Sequence, residues 1–261
     1  MSHGDLPQGP VSTAGALKVA LVTGASRGLG AVIARTLASD GWAVAVNYRS
    51  DSAGAADVAE GIVAEGGRAA AVRFDVTDAE AVRDGLAAIR DALGPVDLVV
   101  NNATGPQPVK PLPEQEWEDY DLQLAFFVRA PFLLLQGCLA DWRARGSGRI
   151  VSIGSEVATT GPAAFAHYAA AKSAMIGLTR SWATELGPDG ITVNLVEPGF
   201  TPVERHASVA TAELDEYRAG VPLGRMARAV DIAGTVAFLA SPRADFITGQ
   251  RLPVNGGRTF G

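Results

Sequence analysis

The chain has 261 residues, of which 48% are hydrophobic and 19% charged, a length and composition that predict one folded α/β domain rather than a disordered chain. Its net charge of −6 argues against a nucleic-acid partner, because no excess of Lys and Arg is available to neutralise phosphates. The one cysteine, Cys138, excludes an internal disulfide, and no Cys and His spacing typical of a zinc site is present, so no metal is expected.

The beginning of the chain and its hydropathy indicate a cytoplasmic protein. Residues 1–16 are rich in Gly, Pro, Ser and Thr and predict a flexible N-terminal arm, which leaves residues 17–261 for the catalytic domain. No basic start precedes an apolar stretch, so no signal peptide is expected. No run of 18 apolar residues occurs, so we expect no membrane span.

From Leu17 onward, strand-like and helix-like segments alternate. Short apolar runs predict seven strands at residues 18–23, 43–47, 69–74, 96–101, 149–153, 192–196 and 251–254. Helical spacing predicts helices at residues 31–39, 55–65, 79–93, 114–145, 168–186 and 230–240. This alternation predicts a Rossmann-type, doubly wound parallel sheet with helices on both faces, in a single domain.

The segment 197–228 interrupts the alternation. It is a long insertion between a strand and the last helix, and we interpret it as a substrate lid. Its mixture of apolar and charged residues does not identify the substrate. His206 in this insertion either lines the substrate pocket or is an exposed loop residue.

The first strand is followed by the sequence TGASRGLG at residues 23–30, which we call the glycine turn. Gly24 permits a tight turn, Gly28 lets the backbone approach a ligand, and Gly30 lets helix and strand pack closely. The amides and the helix dipole at this turn attract a pyrophosphate, so Ser26 and Leu29 are also expected at the cofactor.

The end of the second strand carries no acidic residue that could bind ribose hydroxyls. Tyr48 is followed by Arg49 and Ser50, which offer a charged donor and a hydroxyl to a 2′-phosphate. Arg27, in the glycine turn, could add a second positive charge. The pattern therefore predicts NADPH as the cofactor, although both arginines could instead be solvated loop residues.

Ser155, Tyr168 and Lys172 are the candidate catalytic residues. Tyr168 and Lys172 are four residues apart and share one helix face. An unperturbed tyrosine has a pKa of about 10, and a cation one turn away favours tyrosinate and lowers that pKa. Ser155 follows a predicted strand, and its hydroxyl could donate to a carbonyl oxygen.

These motifs together resemble the short-chain dehydrogenase/reductase family, especially its members similar to 3-oxoacyl-carrier-protein reductase. The resemblance extends from Leu17 to Gly257. Its motifs are TGASRGLG at residues 23–30, NNAT at 101–104, GRIVSIGS at 148–155, YAAAK at 168–172, VEPG at 196–199 and ITGQRLPVNGG at 247–257.

The resemblance implies an oxidoreductase, usually tetrameric, in which Tyr168 protonates a carbonyl oxygen, Ser155 stabilises that oxygen, and Lys172 also binds the nicotinamide ribose. Further residues are assigned by the resemblance to the adenine, the cleft and the nicotinamide end of the cofactor. These are Asp75 and Val76 for the adenine, Asn101, Asn102 and Ala103 for the cleft, and Pro198, Gly199 and Thr201 for the nicotinamide end.

Two positions depart from the family pattern. Thr104 replaces the usual glycine of the NNAG motif and adds bulk near the cofactor. The family's helical Asn, which anchors a proton-relay water, is absent: Leu124 or Phe127 takes its place, and Gln123 is the nearby amide. We expect main-chain carbonyls to hold that water if the helix is kinked.

Three functions fit these residues. The first is NADPH-dependent reduction of a carbonyl compound, such as a ketone or a 3-oxoacyl compound, to an alcohol. The second is an alcohol dehydrogenase that works in the oxidative direction. The third is an NADP(H)-binding regulatory protein with little turnover, which the missing Asn favours and the presence of Ser155 and Tyr168 opposes.

Overall fold

A computed structural model of the chain describes residues 17–204 and 210–260; the arm predicted for residues 1–16, together with His206, lies outside them. Its centre is a seven-stranded sheet in the order β3-β2-β1-β4-β5-β6-β7, in which every pair of neighbours is parallel. The strands are β1 (Val19–Val22), β2 (Ala43–Tyr48), β3 (Arg68–Arg73), β4 (Val96–Asn101), β5 (Gly148–Ile153), β6 (Ile191–Pro198) and β7 (Arg251–Val254). The predicted doubly wound parallel sheet is confirmed.

Helices cover both faces of the sheet. They are α1 (Gly28–Ser39), α2 (Ser52–Ala64), α3 (Ala79–Ala92), α4 (Trp117–Leu124), α5 (Ala130–Arg145), α6 (Val157–Thr160), α7 (Ala166–Leu186), α8 (Thr211–Ala219) and α9 (Ala229–Ala240). Buried side chains of α1, α2 and α9 form one core layer, and those of α3, α5 and α7 form the other. Because both sheet faces are covered, central strands such as β4 are apolar on both sides.

The single helix predicted for residues 114–145 is divided. Leu112–Glu114 form a short 3-10 turn, and α4 begins later because the Asp119 carboxylate accepts the backbone N–H of Glu116 and caps that helix. A π-helical turn at Ala125–Arg129 then separates α4 from α5. The predicted end at Arg145 was right, but the start and the regularity of the helix were wrong.

The stretch Trp117–Arg145 is long and apolar enough to cross a membrane by length and composition alone, which the count of apolar runs in the sequence did not anticipate. In the fold, however, α5 packs onto the sheet through buried Leu134, Cys138 and Trp142. The indole N–H of Trp142 donates to the carbonyl oxygen of Val96 at 2.8 Å. The α5 part of this stretch is therefore a core helix that packs against the parallel sheet.

Cys138 is buried in the α5 layer. Burial raises the pKa of its thiol to about 12, because the thiolate would be poorly solvated there. The thiol is therefore un-ionised at neutral pH.

The insertion begins later than predicted. Glu197 and Pro198, which we assigned to the lid, are the last residues of β6, and both are buried. Glu197 is held there by Arg251 of β7 at 3.0 Å. The described part of the insertion contains α8, which lies near the carboxyl ends of the central strands.

The strand order reverses between β1 and β4. Chain connections leave the carboxyl ends of these two neighbouring strands in opposite directions, which opens a crevice between them. Ligands of open parallel sheets bind in such a crevice. The candidate site therefore lies at this edge.

Candidate active site and cofactor cleft

The glycine turn adopts the backbone that its sequence predicts. Gly24 and Gly28 have φ angles of +61° and +57°, in the left-handed region where a side chain would be strained. A Cβ at Gly30 would lie only 2.5 Å from the Asn102 side-chain nitrogen and from the carbonyl oxygen of Gly24. The three glycines therefore permit a tight loop at the amino end of α1, where backbone amides and the helix dipole attract an anion.

Thr23 joins the glycine turn to the end of β4. Its hydroxyl donates to the carbonyl oxygen of Val100 and accepts the backbone N–H groups of Asn102 and Ala103 at 2.9 and 3.0 Å. The Asn102 amide in turn donates to the carbonyl oxygen of Thr23 at 2.8 Å. The motifs TGASRGLG and NNAT are thus held together by reciprocal hydrogen bonds.

Asn47 fixes the other side of the glycine turn, which the sequence analysis missed. Its side-chain oxygen accepts the N–H of Gly24 at 3.1 Å, while its amide donates to the carbonyl oxygen of Phe74. Polar Asn47 in an otherwise apolar β2 run was the signal that could have identified it.

Arg49 and Ser50 are exposed beyond β2, next to the start of the β3–α3 loop. The Arg49 guanidinium lies 3.6 Å from the carboxylate of Asp75 and remains 65% exposed. Although burial opposes it, hydrogen bonds from Thr77 and the charge of Arg49 hold the pKa of Asp75 below its ordinary value. Arg49 thus keeps an accessible charge at the edge where a 2′-phosphate is predicted, with Asp75 as a competing partner.

The other predicted cofactor residues lie along the same edge. Tyr48 ends β2, while Ser26, Arg27 and Leu29 belong to the glycine turn, with Arg27 exposed immediately before α1. Val76 is buried beside Asp75. Asn101 is buried at the end of β4, where its amide donates to the Ser152 hydroxyl at 3.1 Å.

The candidate catalytic residues meet where β5 ends and α7 begins. The buried ammonium of Lys172 donates to the carbonyl oxygen of Ile153 at 2.7 Å, which ties α7 to the strand that leads into Ser155. Lys172 Nζ lies 5.6 Å from the centre of the Tyr168 ring. The Ser155 hydroxyl oxygen accepts the N–H of Val157 at 3.2 Å, so its own proton can be donated to a substrate oxygen.

The structure distinguishes the two positions proposed for the missing Asn. Phe127, in the π turn, faces Lys172, whose Nζ lies 3.7 Å from the centre of the Phe127 ring. The same ring contacts Tyr168 edge-on, with 5.6 Å between the ring centres. Leu124 is the last residue of α4 and packs at the edge of this cluster. A π turn interrupts the helix here, and an aromatic ring lies beside the lysine.

The segment after β6 and the NNAT motif each follow the carboxyl end of a strand of the sheet. The Thr201 hydroxyl, which is buried, donates to the carbonyl oxygen of Gly199 at 3.0 Å. Thr104 is exposed, and its hydroxyl accepts the Gln107 amide at 2.7 Å. The extra bulk of Thr104 is thus accommodated at the surface.

Glu156, the residue after Ser155, is buried. The hydroxyl of Tyr217, from α8, donates to Glu156 Oε1 at 2.6 Å and accepts the N–H of Phe200 at 2.7 Å. The Arg258 guanidinium lies 4.0 Å from the centre of the Tyr217 ring and 3.6 Å from Glu156. Burial raises the pKa of Glu156, against the effects of Tyr217 and Arg258.

This cluster joins the residue after Ser155 to α8 and to the carboxyl-terminal segment. Burial and the bond to Glu156 raise the pKa of Tyr217, so its hydroxyl keeps its proton and remains a donor. Sequence analysis missed Tyr217 and Arg258 because their partners are distant along the chain.

His167 is fully buried between the rings of Tyr120 and Phe165, which agrees with a packing role. Trp142 is a core residue, whereas Trp117 is largely exposed. Among the side chains of residues 17–204 and 210–260, no group of three His, Cys, Asp or Glu could hold a metal ion.

Comparison with known proteins gives consistent results. Residues 24–259 match the family model described as enoyl-(acyl carrier protein) reductase. The chain is 40% identical over 242 residues to the 3-oxoacyl-[acyl-carrier-protein] reductase FabG of Staphylococcus aureus, which covers 92% of this chain and 97% of the relative.

Two solved structures resemble the fold closely. A gluconate 5-dehydrogenase from Burkholderia cenocepacia, in complex with NADP and tartrate, has a TM-score of 0.86 at 32% identity and covers 92% of this chain and 94% of its own. A blue fluorescent protein from a metagenomic library, in complex with NADPH, has a TM-score of 0.85 at 40% identity and covers 93% and 98%. The chain therefore belongs to the short-chain dehydrogenase/reductase family of oxidoreductases and is 3-oxoacyl-carrier-protein reductase-like.

Proposed function

We propose that this chain reduces a ketone to an alcohol with NADPH, and that a 3-oxoacyl compound is the favoured substrate class. The observation that carries the proposal is the hydrogen bond from Lys172 Nζ to the carbonyl oxygen of Ile153, which ties the helix of Tyr168 and Lys172 to the strand that leads into Ser155. The names of the reductase relatives support the substrate class.

The residues of the cleft fit NADPH. The glycine turn would bind the pyrophosphate through backbone amides. Added Cβ atoms at Gly24 and Gly30 would collide with neighbouring segments of the same chain. Arg49 and Ser50 would bind the 2′-phosphate, while Asp75 and Val76 would lie at the adenine. The NADP and NADPH complexes of the structural relatives support this choice.

Bound NADPH supplies the hydride that adds to the carbonyl carbon. Ser155 donates a hydrogen bond to the carbonyl oxygen and stabilises the negative charge that develops on it. Tyr168 transfers its phenolic proton to that oxygen, which completes the alcohol. The charge of Lys172 stabilises the tyrosinate that Tyr168 becomes, because opposite charges attract strongly where water is excluded.

The two other functions use the same residues differently. The geometry also serves the reverse oxidation, and the gluconate 5-dehydrogenase relative supports a dehydrogenase as the second candidate. A pure NADP(H)-binding protein would have no need for Ser155 and Tyr168. Turnover of NADPH with a panel of ketones and 3-oxoacyl thioesters distinguishes these functions.

We further propose a homo-oligomer, in particular a tetramer. Large apolar side chains are exposed on α4, α5 and α9 and before β7, namely Trp117, Phe132, Phe238 and Phe246. Such side chains are typical of subunit interfaces when they form a contiguous surface. No nucleic acid or membrane partner is proposed, and a cytoplasmic location stays a prediction.

The first prediction concerns cofactor choice. Arg49→Ala should weaken NADPH binding about tenfold or more and leave NADH unchanged, because a hydrogen bond to a charged group contributes roughly 1.5–3 kcal/mol. Titration of both cofactors by fluorescence measures the effect. Arg83→Ala, an exposed substitution on α3, is the control. Equal Kd values for NADPH and NADH in the unmodified protein would contradict the assignment.

The second prediction concerns Tyr168. Tyr168→Phe should lower the rate of reduction by ~10²–10⁴-fold, as expected for a lost general acid, while NADPH still binds. Steady-state kinetics and cofactor titration measure both. Tyr120→Phe removes a hydroxyl that bonds only Gln115 among the described contacts and should retain activity. Near-normal turnover by Tyr168→Phe would show that the proton donor is another group.

The third prediction concerns the lid. Tyr217→Phe removes two hydrogen bonds and leaves Glu156 without its closest partner. We expect KM for the carbonyl substrate to rise about tenfold, since roughly 1.4 kcal/mol corresponds to that factor. Initial rates over a range of substrate concentrations give KM, and Arg218→Ala on the same helix is the control. An unchanged KM would mean that these bonds do not hold the lid.

The fourth prediction concerns assembly. Light scattering at micromolar concentration should give a multiple of the 26.9 kDa chain mass. Phe132→Glu should lower that mass if α5 forms an interface, because a buried unpaired charge is unfavourable there. A monomer mass for the unmodified chain would refute the proposal.

A further inference from the structure

The ammonium of Lys172 lies over the face of the Phe127 ring, with 3.7 Å between Nζ and the ring centre. A cation within about 6 Å of a ring centre is attracted by the negative face of the π system. Both side chains are buried, at 3% and 4% exposure. Because water competes little in such a place, the attraction is stronger than at a surface.

Groups from β5 and from the π turn contact this ammonium. The carbonyl oxygen of Ile153, at the end of β5, accepts one of its protons at 2.7 Å, and the Phe127 ring covers another side. A buried charge requires such compensation for its lost hydration. The ring also contacts Tyr168 edge-on, so one aromatic side chain touches both members of the pair.

The π turn explains how the ring reaches this place. A π turn at Ala125–Arg129 contains an extra residue and changes the directions of its side chains relative to the α-helices on either side. Phe127 lies at the middle of that turn and belongs to the small cluster formed with Tyr168 and Met175. The local irregularity of the helix is therefore located where it brings an aromatic ring to the lysine.

We propose that Phe127 is a positioning residue whose ring face holds the Lys172 ammonium beside Tyr168 during carbonyl reduction. It does so through the π system instead of a hydrogen bond. This inference rests on the proposed function, since it concerns how the same catalytic pair is held in place.

The test is a series of fluorinated phenylalanines at position 127. Fluorine withdraws electron density from the ring face and weakens the attraction for a cation, with little change in shape. From phenylalanine through 4-fluoro and 3,5-difluoro to 3,4,5-trifluorophenylalanine, kcat should fall stepwise, by about tenfold at the last member. KM for the carbonyl substrate should stay at the parent value. The same trifluoro residue at Phe238, which is 40% exposed on α9, is the control and should leave kcat unchanged.

A second measurement uses the cofactor-free protein. The chain has three lysines, Lys18, Lys110 and Lys172, so selective ¹³C labelling of lysine gives a simple NMR spectrum. Nuclei above an aromatic ring face resonate upfield, and the ε-methylene of Lys172 should show such a shift. Phe127→Leu should remove the shift and lower kcat.

A flat kcat series across the fluorinated residues would overturn the inference, as would the absence of an upfield lysine signal. An equal or higher kcat in Phe127→Asn would overturn it as well, because no ring would then be needed. If the unmodified protein reduces no carbonyl compound, the proposed function fails, and the NMR measurement still decides whether the ring holds the lysine.

Discussion

The site depends on the hydrogen bonds of Thr23, which hold the ends of β1 and β4 together at the point where the strand order reverses. One hydroxyl contacts the carbonyl oxygen of Val100 and the amides of Asn102 and Ala103. Pairing of neighbouring parallel strands does not by itself fix the distance between the loops that follow them. The hydrogen bonds of Thr23 fix that distance. The glycine turn and the NNAT segment therefore form one rigid wall of the crevice.

The opposite wall of the crevice contains two buried charged side chains, and groups from other segments compensate their charges. Lys172 is placed by the carbonyl oxygen of Ile153 and by Phe127, and Glu156 is placed by Tyr217 and Arg258. Each of these ions lies within a few residues of Ser155 or Tyr168 along the chain. Because an isolated buried charge is unfavourable, each of these side chains is stable only when its partners from distant segments are in place. The candidate catalytic side chains and α8 are therefore parts of one packed structure.

Sequence reasoning predicted the sheet, its helices and the two motif-bearing loops, because hydrophobic periodicity and glycine requirements are local properties of the chain. It missed the roles of Asn47, Tyr217 and Arg258, because the partners of Asn47 lie 23 or more residues away, those of Tyr217 lie 17 and 61 residues away, and Arg258 bonds to a residue 41 positions away. It also predicted one continuous helix where a π turn lies, since Phe126 and Phe127 fit an apolar helix face equally well in either geometry. The periodicity of hydrophobic residues along the chain predicts neither long-range polar contacts nor small irregularities within a helix.

The burial of Cys138 has a consequence for observing this protein. The sulfur lies under α5 in the layer that supports the cleft, and only its ionised form reacts readily with alkylating reagents. Because burial raises its pKa to about 12, alkylation at neutral pH requires the helix to separate from the sheet. The chain has no second sulfhydryl group to confuse the signal. The rate at which Cys138 is alkylated thus reports how often this layer opens, and no label has to be added to the active site.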